Sequence, residues 1–214
     1  MQTTERAHGV ILRTRPLTET SLIVNWLTPE FGRISTVAKG ARRTKSPFRG
    51  KLDLFYEGEF SFQRSRRSEL HTLREIMLRE TNAALRKELG HLQQASYCAT
   101  LVEQTTETQT PLPEVYELFF GFLHALSKQP PRPRTVFAFE LKLLGILGLA
   151  PDIGEIKLPA ETRALMNALA ETDWERLPEL RATAAQATAI KQFLHGFLIY
   201  HLGKVPKGRE RAVE

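Results

Sequence analysis

Residues 22–38 read LIVNWLTPEFGRISTVA, and this segment decides the fold class of the N-terminal part of the chain. Every second residue of its first half is a large apolar side chain, which is the period-two pattern of a strand: Leu22, Val24 and Trp26. Thr28 to Gly32 then places proline and glycine where a turn reverses the chain. The β-branched run from Ile34 to Ala38 follows, so the segment predicts an antiparallel hairpin.

The same pattern recurs on both sides of this hairpin. An alternating run from Val10 to Arg15 predicts the preceding strand. Leu52, Leu54 and Tyr56 open a longer predicted strand that continues through Phe62. A fifth strand is predicted from Leu70 to Leu78, where the Leu, Arg and Glu content makes a helix the competing assignment. Five short antiparallel strands favour a small closed barrel, because closure removes exposed sheet edges.

After residue 80 the apolar spacing changes from two to three and four, which indicates helices. We predict them at residues 85–107, 115–126, 134–149, 160–171 and 190–201. The third is apolar almost all round, so it should be the buried central helix. The sequence therefore predicts an α+β protein of two domains: a barrel over 1–80, an all-α helical domain over 81–205, and a frayed polar tail over 206–214.

Composition limits the functional classes. Hydrophobic residues make up 42% of the 214-residue chain, enough for a core. No apolar run reaches the roughly 18 residues of a membrane helix, and the first residues lack the pattern of a signal peptide. We therefore expect a soluble, cytoplasmic protein. The single cysteine, Cys98, excludes an internal disulfide and any zinc site built on cysteines, and a small buried residue is its expected role.

The positive charge is confined to the first 80 residues. They hold 15 Lys and Arg against 9 Asp and Glu, a net +6, whereas residues 81–214 hold 15 of each. Residues 33–51 contain no acid and seven cations: Arg33, Lys39, Arg42, Arg43, Lys45, Arg49 and Lys51. Such a field attracts a polyanion, most commonly nucleic acid. The alternative is an ordinary solvated loop.

Loop chemistry favours the nucleic-acid interpretation. Gly40, Pro47 and Gly50 indicate a loop rather than a helix face. The planar guanidinium of arginine suits phosphate better than a point charge does. Phe48 lies among the cations and could stack on a base. We favour the other role for Phe48, an apolar anchor that holds the loop on the core.

Catalytic motifs are missing from the sequence. The six histidines form no H-E-x-x-H arrangement, and the nearest approach to a phosphate loop, Gly50-Lys51, is followed by Leu52 where Ser or Thr would bind magnesium. There is no G-x-S-x-G or G-x-G-x-x-G motif and no acidic cluster for two-metal chemistry. We therefore predict a protein without catalytic site, metal or cofactor, and keep a small enzyme such as a nuclease as an alternative.

The order of these segments resembles the RecO family of bacterial recombination mediators. The resemblance lies in residues 9–15 (GVILRTR), 19–24 (ETSLIV), 27–33 (LTPEFGR) and 37–43 (VAKGARR). Its most specific part is Lys39-Gly40-Ala41-Arg42-Arg43. Residues 139–144 (FELKLL) and 147–151 (LGLAP) resemble the central helix of the family and the turn after it.

The resemblance implies an N-terminal OB-fold barrel and a helical domain. It implies a non-enzymatic, nucleoid-associated protein that binds single- and double-stranded DNA and anneals complementary strands. The implied partners are RecR, the acidic C-terminal tail of the single-stranded-DNA-binding protein and, indirectly, the recombinase RecA, with no membrane contact. An RNA-binding or ribosome-associated OB-fold protein is the alternative, because the fold alone does not select a ligand.

The resemblance also implies site residues. DNA contacts are expected at Lys39, Arg42, Arg43, Lys45 and Arg49, with Arg13, Arg15 and Arg33 on adjacent strands, and with Arg64, Arg66 and Arg67 widening the footprint. The acidic tail is expected at Arg132 and Arg134, beside the apolar stripe of Phe119 and Phe122. The alternative for these two arginines is an ordinary solvated Pro-rich linker. Many family members carry a four-cysteine zinc module after the central helix. Residues 151–159 contain no cysteine here, so we expect no zinc.

Overall fold

The computed structural model describes residues 4–214, and they form two compact units. The N-terminal unit extends to Ala83 and also includes Thr106–Glu117. The C-terminal unit contains Ala84–Thr105 and Leu118–Glu214. No helix in this part of the chain is long and apolar enough to cross a membrane.

The N-terminal unit is a closed barrel of five strands. They are β1 (Thr4–Pro16), β2 (Leu22–Thr28), β3 (Gly32–Ala38), β4 (Glu57–Gln63) and β5 (Leu70–Glu80). The order around the barrel is β1-β2-β3-β5-β4, with β3 and β5 parallel and the other neighbours antiparallel. The predicted five-stranded OB-fold barrel is thus confirmed, and residues 70–80 form the strand rather than the competing helix. The expectation that all strands are antiparallel is wrong for one pair, because β5 pairs with β3 in parallel.

The long strand β1 closes the barrel by serving two neighbours. Residues up to Val10 pair with β4 and residues from Val10 onward pair with β2, and the pairing with β2 has a bulge between Ile11 and Arg13. Gly9 lies opposite Gly58 near this change. A Cβ on Gly9 would lie 2.6 Å from the carbonyl oxygen of Leu27, so only glycine lets the strands approach this closely.

Aromatic side chains fill the barrel. Trp26 stacks on Phe60 with 4.0 Å between ring centroids, and both are buried. The indole Nε1 of Trp26 donates a hydrogen bond to Oγ1 of Thr36 over 2.9 Å, so the one polar atom of the indole is satisfied in the core. The period-two pattern that predicted β2 and β3 therefore corresponds to the inward face of the barrel.

The predicted strand from Leu52 to Phe62 is wrong in its first part. Residues 51–56 contain turns and no strand, and β4 begins only at Glu57. Phe55 has a φ of 63°, a left-handed conformation that residues with a Cβ rarely adopt and that does not fit a regular strand. Its N–H donates to the carbonyl of Ile11 over 2.8 Å, and the N–H of Ile11 donates to the carbonyl of Tyr56 over 2.9 Å. The apolar alternation here reflects turn side chains that reach the core, not strand pairing.

The C-terminal unit is built from helices, as predicted. The helices after the barrel are α1 (Leu89–Thr105), α2 (Pro113–Leu126), α3 (Pro133–Ile146), α4 (Ala160–Glu171), α5 (Ala184–Leu202) and α6 (Arg209–Ala212), with short 3-10 helices at Ala83–Arg86 and Leu177–Glu179. Helix α3 is buried from Thr135 to Leu141 and contacts α1, α4 and α5, which confirms its central place.

The prediction of a frayed tail at residues 206–214 is wrong, because a buried ion pair anchors this segment to α3. Arg209 of α6 is only 2% exposed, and Glu140 of α3 is fully buried. The guanidinium donates to both carboxylate oxygens of Glu140, at 2.7 and 2.9 Å, and Tyr97 of α1 donates its hydroxyl to the same carboxylate. Burial and the Glu140 charge raise the pKa of Tyr97, which keeps this hydroxyl protonated.

The domain boundary expected at residue 80 also differs from the structure, because the α1–α2 connection packs on the barrel. Gly32 has a φ of 63°, and a Cβ there would lie 2.0 Å from the carbonyl oxygen of Thr110. The N–H of Gln109 donates to the carbonyl of Arg33 over 2.8 Å. This tight contact depends on a glycine far away in sequence, so local composition did not reveal it.

Candidate nucleic-acid interface

The acid-free stretch forms a surface loop at one end of β3, and we call residues 39–51 the basic loop. Successive turns build it, because backbone N–H groups donate to carbonyls three residues earlier: Arg43 to Gly40, Ser46 to Arg43, Arg49 to Ser46 and Lys51 to Phe48, at 3.0–3.2 Å. The loop therefore has a defined, hydrogen-bonded backbone rather than an irregular one.

Phe48 anchors this loop, as expected from the sequence. Its side chain is 7% exposed and belongs to the core cluster of the barrel, where Leu52 and Tyr56 also pack. A ring buried in this way cannot stack on a base, so the alternative role is wrong. The buried anchor fixes the position of the cations on either side of it.

The first turn of the basic loop is also bonded to the β1–β2 turn. The N–H of Arg42 donates to the carbonyl of Thr20 over 2.9 Å, and its Nη1 donates to the carbonyl of Thr18 over 3.3 Å. Gly40 has a φ of 69°, which lets the chain turn there, and its N–H donates to Oγ of Ser21. Two turns are thus joined at this end of the barrel.

Five cations of the loop are exposed and make no ion pair with a carboxylate of the described residues: Lys39, Arg42, Arg43, Lys45 and Arg49. Arg49 donates from Nη1 to the carbonyl of Thr44 over 3.2 Å, a contact that orients it without neutralising it. The loop therefore presents uncompensated positive charge on a fixed backbone, which is what binding to a phosphate chain needs.

Arg13 and Arg15 both lie on β1, which is separated by β2 from the strand that leads into the basic loop. Both are exposed on β1. Arg15 is paired with Ile23, which is paired in turn with Val37, two residues before the basic loop. Adjacent strands are about 4.8 Å apart, so Arg15 lies roughly 10 Å from the strand that leads into the loop. The structure thus brings Arg15 to the same end of the barrel as the basic loop, whereas Arg13 lies level with Ser35 in the middle of β3.

Arg33 has a different role from the expected one. Its Nε donates to Oγ1 of Thr106 over 2.8 Å, and its Nη2 donates to the Thr106 carbonyl. The side chain is half-buried by these contacts. Since the Arg33 guanidinium holds the α1–α2 connection on the barrel, we assign Arg33 a structural role.

The second arginine group lies apart from the basic loop. Arg64, Arg66 and Arg67 belong to the β4–β5 turn. Arg64 pairs with Glu5 at 3.3 Å and lies 5.7 Å over the ring of Phe31, which precedes β3. The basic loop follows the other end of this seven-residue strand, about 20 Å away. A ligand that used both groups would have to run along β3.

In the helical unit, Arg132 and Arg134 line an apolar groove with a volume of about 360 Å³. Its apolar walls come from α3, α4, α5 and the segment before α5: Phe137, Leu165, Leu169, Leu180, Ala187 and Ile190. Arg134 donates from Nη1 to the carbonyl of Leu180 over 3.1 Å, while its Nε is buried without a partner among the described residues. Burial and the charge of Arg132 lower the pKa of Arg134.

The apolar side of this groove is not the one expected. Phe119 and Phe122 are fully buried and pack on Phe139 in the helical core. They cannot line a groove, because the same α2 stripe that made them conspicuous in the sequence faces inward. The groove walls are formed mainly by leucine and isoleucine side chains from several segments. The apolar pattern of a single helix in the sequence does not reveal a wall built in this way.

The described residues offer no site for metal or thiol chemistry. Across residues 4–214 no group of three or more His, Cys, Asp or Glu side chains is placed to hold a metal ion. Cys98 is buried, as expected, and burial raises the pKa of its thiol well above the usual value. A thiol in that state is a poor nucleophile.

The protein has a closed OB-fold barrel with an exposed basic loop, and a helical unit with a cationic apolar groove. These features define a two-domain OB-fold protein. Family models identify which one. The model described as Recombination protein O N terminal matches residues 1–82, and Recombination protein O C terminal matches residues 86–155 and 152–210. The chain belongs to the RecO family.

Curated relatives agree with the family models. A DNA repair protein RecO from Listeria monocytogenes serotype 4b is 32% identical over 158 residues, which cover 74% of this chain and 61% of the relative. A DNA repair protein RecO from Anaeromyxobacter sp. strain K is 35% identical over 145 residues, 68% of this chain and 57% of the relative. The matches thus span about three-fifths of the length of these relatives.

Proposed function

We propose that this chain is a non-enzymatic DNA-binding mediator of DNA repair and recombination. It binds single- and double-stranded DNA, anneals complementary strands and helps to load a recombinase onto coated single strands. The observation that supports this function best is the basic loop. Its five exposed cations lie on a backbone fixed by Phe48, and none of them pairs with a carboxylate of residues 4–214. Membership of a family whose named relatives are DNA repair proteins supports it as well.

In this proposal the basic loop acts through charge. Lys39, Arg42, Arg43, Lys45 and Arg49 follow the phosphates of a strand and read little sequence. Arg13 and Arg15 extend the surface along β1. Cations that neutralise two strands at once lower the repulsion between them, so complementary bases can meet. No nucleotide is consumed, since annealing is downhill once the repulsion is reduced.

Charge reversal in the loop tests this function. Arg42→Glu/Arg43→Glu should weaken oligonucleotide binding, measured by fluorescence anisotropy, by at least about ten-fold, because two phosphate contacts are replaced by repulsion. It should slow annealing of complementary strands in parallel, with and without the single-stranded-DNA-binding protein. Running RNA strands of equal length beside the DNA would show whether the alternative RNA-binding function applies.

The matched control reverses two exposed cations of the helical unit, Lys128→Glu/Arg176→Glu. It changes the net charge by the same amount but leaves the basic loop intact, so binding and annealing should stay close to the wild-type values. Equal losses in both variants would mean that only net charge matters. Intact binding and annealing in the loop variant would place the DNA site elsewhere.

We further propose that the groove at Arg132 and Arg134 takes the acidic C-terminal tail of the single-stranded-DNA-binding protein. The guanidinium groups of Arg132 and Arg134 in the groove lining would pair with a carboxylate of the tail, and the apolar walls would hold its apolar end. The Nε of Arg134 has no partner among the described residues. RecR and RecA are the other partners we propose, RecA indirectly, through loading.

A tail peptide titration tests the groove. Arg134→Ala should weaken peptide binding by at least about ten-fold, because a charge-assisted hydrogen bond is lost, whereas Arg176→Ala should not. Replacing the terminal carboxylate of the peptide by an amide should weaken binding to the wild type and have much less effect on Arg134→Ala. Undiminished binding by Arg132→Ala/Arg134→Ala would exclude this groove.

A further inference from the structure

Strand β5 has a free edge over most of its length. The barrel closes between β3 and β5 through a short contact, in which residues 35–37 pair with residues 70–72. Strand β5 then continues to Glu80, past the end of β3. Within residues 4–214, no second strand and no loop bonds to the backbone of residues 74–79 on the side away from β4. Such an edge offers unpaired N–H and C=O groups to another strand.

The residues along this edge are complementary to themselves. Residues 74–80 read REIMLRE, and Met77 at the centre is 50% exposed. Two such segments that run antiparallel about Met77 place opposite charges together at both ends and apolar residues together between them: Arg74 opposite Glu80, Glu75 opposite Arg79, and Ile76 opposite Leu78. The exposure follows the same order from either end, because the four charged residues and Met77 are exposed while the residues on either side of Met77 are covered or half-covered.

Charge selects this register over its neighbours. A shift by one residue places Arg74 opposite Arg79 in one direction, and Glu75 opposite Glu80 in the other. A parallel pair in register places every charge opposite itself. Like charges directly opposite destabilise a strand pair, whereas opposite charges stabilise it. The bulges that β5 forms against β4 lie at Arg74 and Arg79, so the stretch between them is regular.

We propose that the free edge of β5 joins two copies of this chain in a two-fold dimer whose axis passes through Met77. A two-fold axis brings the same patch of both copies together, and the self-complementary order of residues 74–80 meets that requirement. The pairing extends the β4–β5 sheet into the second copy through main-chain hydrogen bonds and covers Met77. This interface is separate from the proposed DNA site and goes beyond it.

Charge also favours a second copy over a nucleic acid at this edge. Residues 74–80 hold two Arg and two Glu, so their net charge is zero, unlike that of the basic loop. The two basic loops do not repel each other strongly in this dimer. Each loop begins near Leu73, because Val37 pairs with Thr72 and β3 ends one residue later. The two Leu73 residues lie on opposite sides of the axis, about 27 Å apart along the strands, well beyond a Debye length of about 8 Å.

A single strand pair is a small interface. Seven residues on each side bury much less than the roughly 1,200–2,000 Å² of a stable complex, so we expect a weak dimer that depends on concentration. A covalent cross-link traps such a dimer and is therefore the sensitive measurement.

Met77→Cys tests the position of the axis. Directly opposite residues of an antiparallel pair have Cα atoms about 4.5–5.5 Å apart, a distance that a disulfide spans. Under mild oxidation this variant should form a disulfide-linked dimer on a non-reducing gel. Cys98 is buried, so it should add no background.

Glu75→Cys is the matched control. Glu75 is exposed on the same strand, but its counterpart in the second copy lies about 14 Å away along the pair. Cross-linking of Glu75→Cys should therefore be about ten-fold weaker or less than that of Met77→Cys, since a disulfide cannot span this distance.

Charge reversal provides the second measurement. Added to Met77→Cys, Glu75→Arg places arginines opposite each other at both ends of the pair and should lower cross-linking by about five-fold or more. Adding Arg79→Glu as well returns opposite charges to the pair and should restore most of the cross-linking. The bond from Arg79 to Glu59 is an exposed surface pair, so the barrel should remain folded, which circular dichroism checks.

Three results would overturn the proposal. One is the absence of a cross-linked dimer in Met77→Cys. Another is equal cross-linking of Met77→Cys and Glu75→Cys, which would indicate random collision. The last is cross-linking that Glu75→Arg leaves unchanged, which would exclude the register in which Glu75 meets Arg79.

Discussion

At the scale of single residues, the Arg209–Glu140 pair is the most consequential contact outside the proposed sites. Both side chains are buried, and Tyr97 completes the set by donating to the same carboxylate. A buried charge without its partner is costly, so removing one member of such a pair destabilises the fold strongly. The pair therefore explains why the last helix is ordered.

We predict that Arg209→Ala lowers the free energy of unfolding by about 3–5 kcal/mol, because Glu140 is left buried and unpaired. Urea denaturation measures the change. Arg211→Ala is the control, an exposed arginine of the same helix, and should stay within about 0.5 kcal/mol of the wild type. Equal effects of the two variants would contradict a special role for the pair.

At the scale of elements, the basic loop is a rigid surface element rather than a tether. Turns at three-residue intervals fix its backbone, bonds to Thr18 and Thr20 fix its first turn, and Phe48 fixes its middle. A backbone fixed in this way loses little freedom on binding, which favours affinity.

Phe48→Ala should cost about 3–5 kcal/mol of stability, because the removed ring leaves a cavity in the barrel core. It should also expose the loop to proteolysis. Phe48→Leu keeps most of the apolar volume and should restore most of both properties. Limited proteolysis beside urea denaturation separates the two effects, and an unchanged cleavage rate in Phe48→Ala would mean that Phe48 does not anchor the loop.

At the scale of the whole molecule, the net charge of +6 belongs to the first 80 residues. Four to six phosphate contacts predict a slope of about −3 to −4 for log affinity against log salt on single strands. Arg42→Gln/Arg43→Gln should make this slope shallower by about 1.4, two contacts at roughly 0.7 each. A wild-type slope near zero in an anisotropy titration would contradict phosphate binding.

Much of the fold was predictable because local patterns agreed with it. Alternation along residues 22–38 indicated which side chains face the barrel interior, and the apolar surface of residues 134–149 indicated a buried helix. The patterns failed where long-range contacts replaced pairing. Residues 52–56 alternate like a strand but form none, and only Phe55 and Tyr56 of this segment bond to Ile11. Gly32 looked like a turn glycine, yet its contact with Thr110 also joins the α1–α2 connection to the barrel.

The site divides in the same way. Sequence alone determined that this chain has a five-stranded barrel, a helical part and an acid-free cationic stretch, because periodicity and charge are local properties. Only the tertiary structure decided which cations are exposed, that Arg33 is bound to Thr106, that Phe119 and Phe122 are buried, and that Arg134 faces a groove. Burial and partnership depend on segments far apart in the chain, and only folding brings those together.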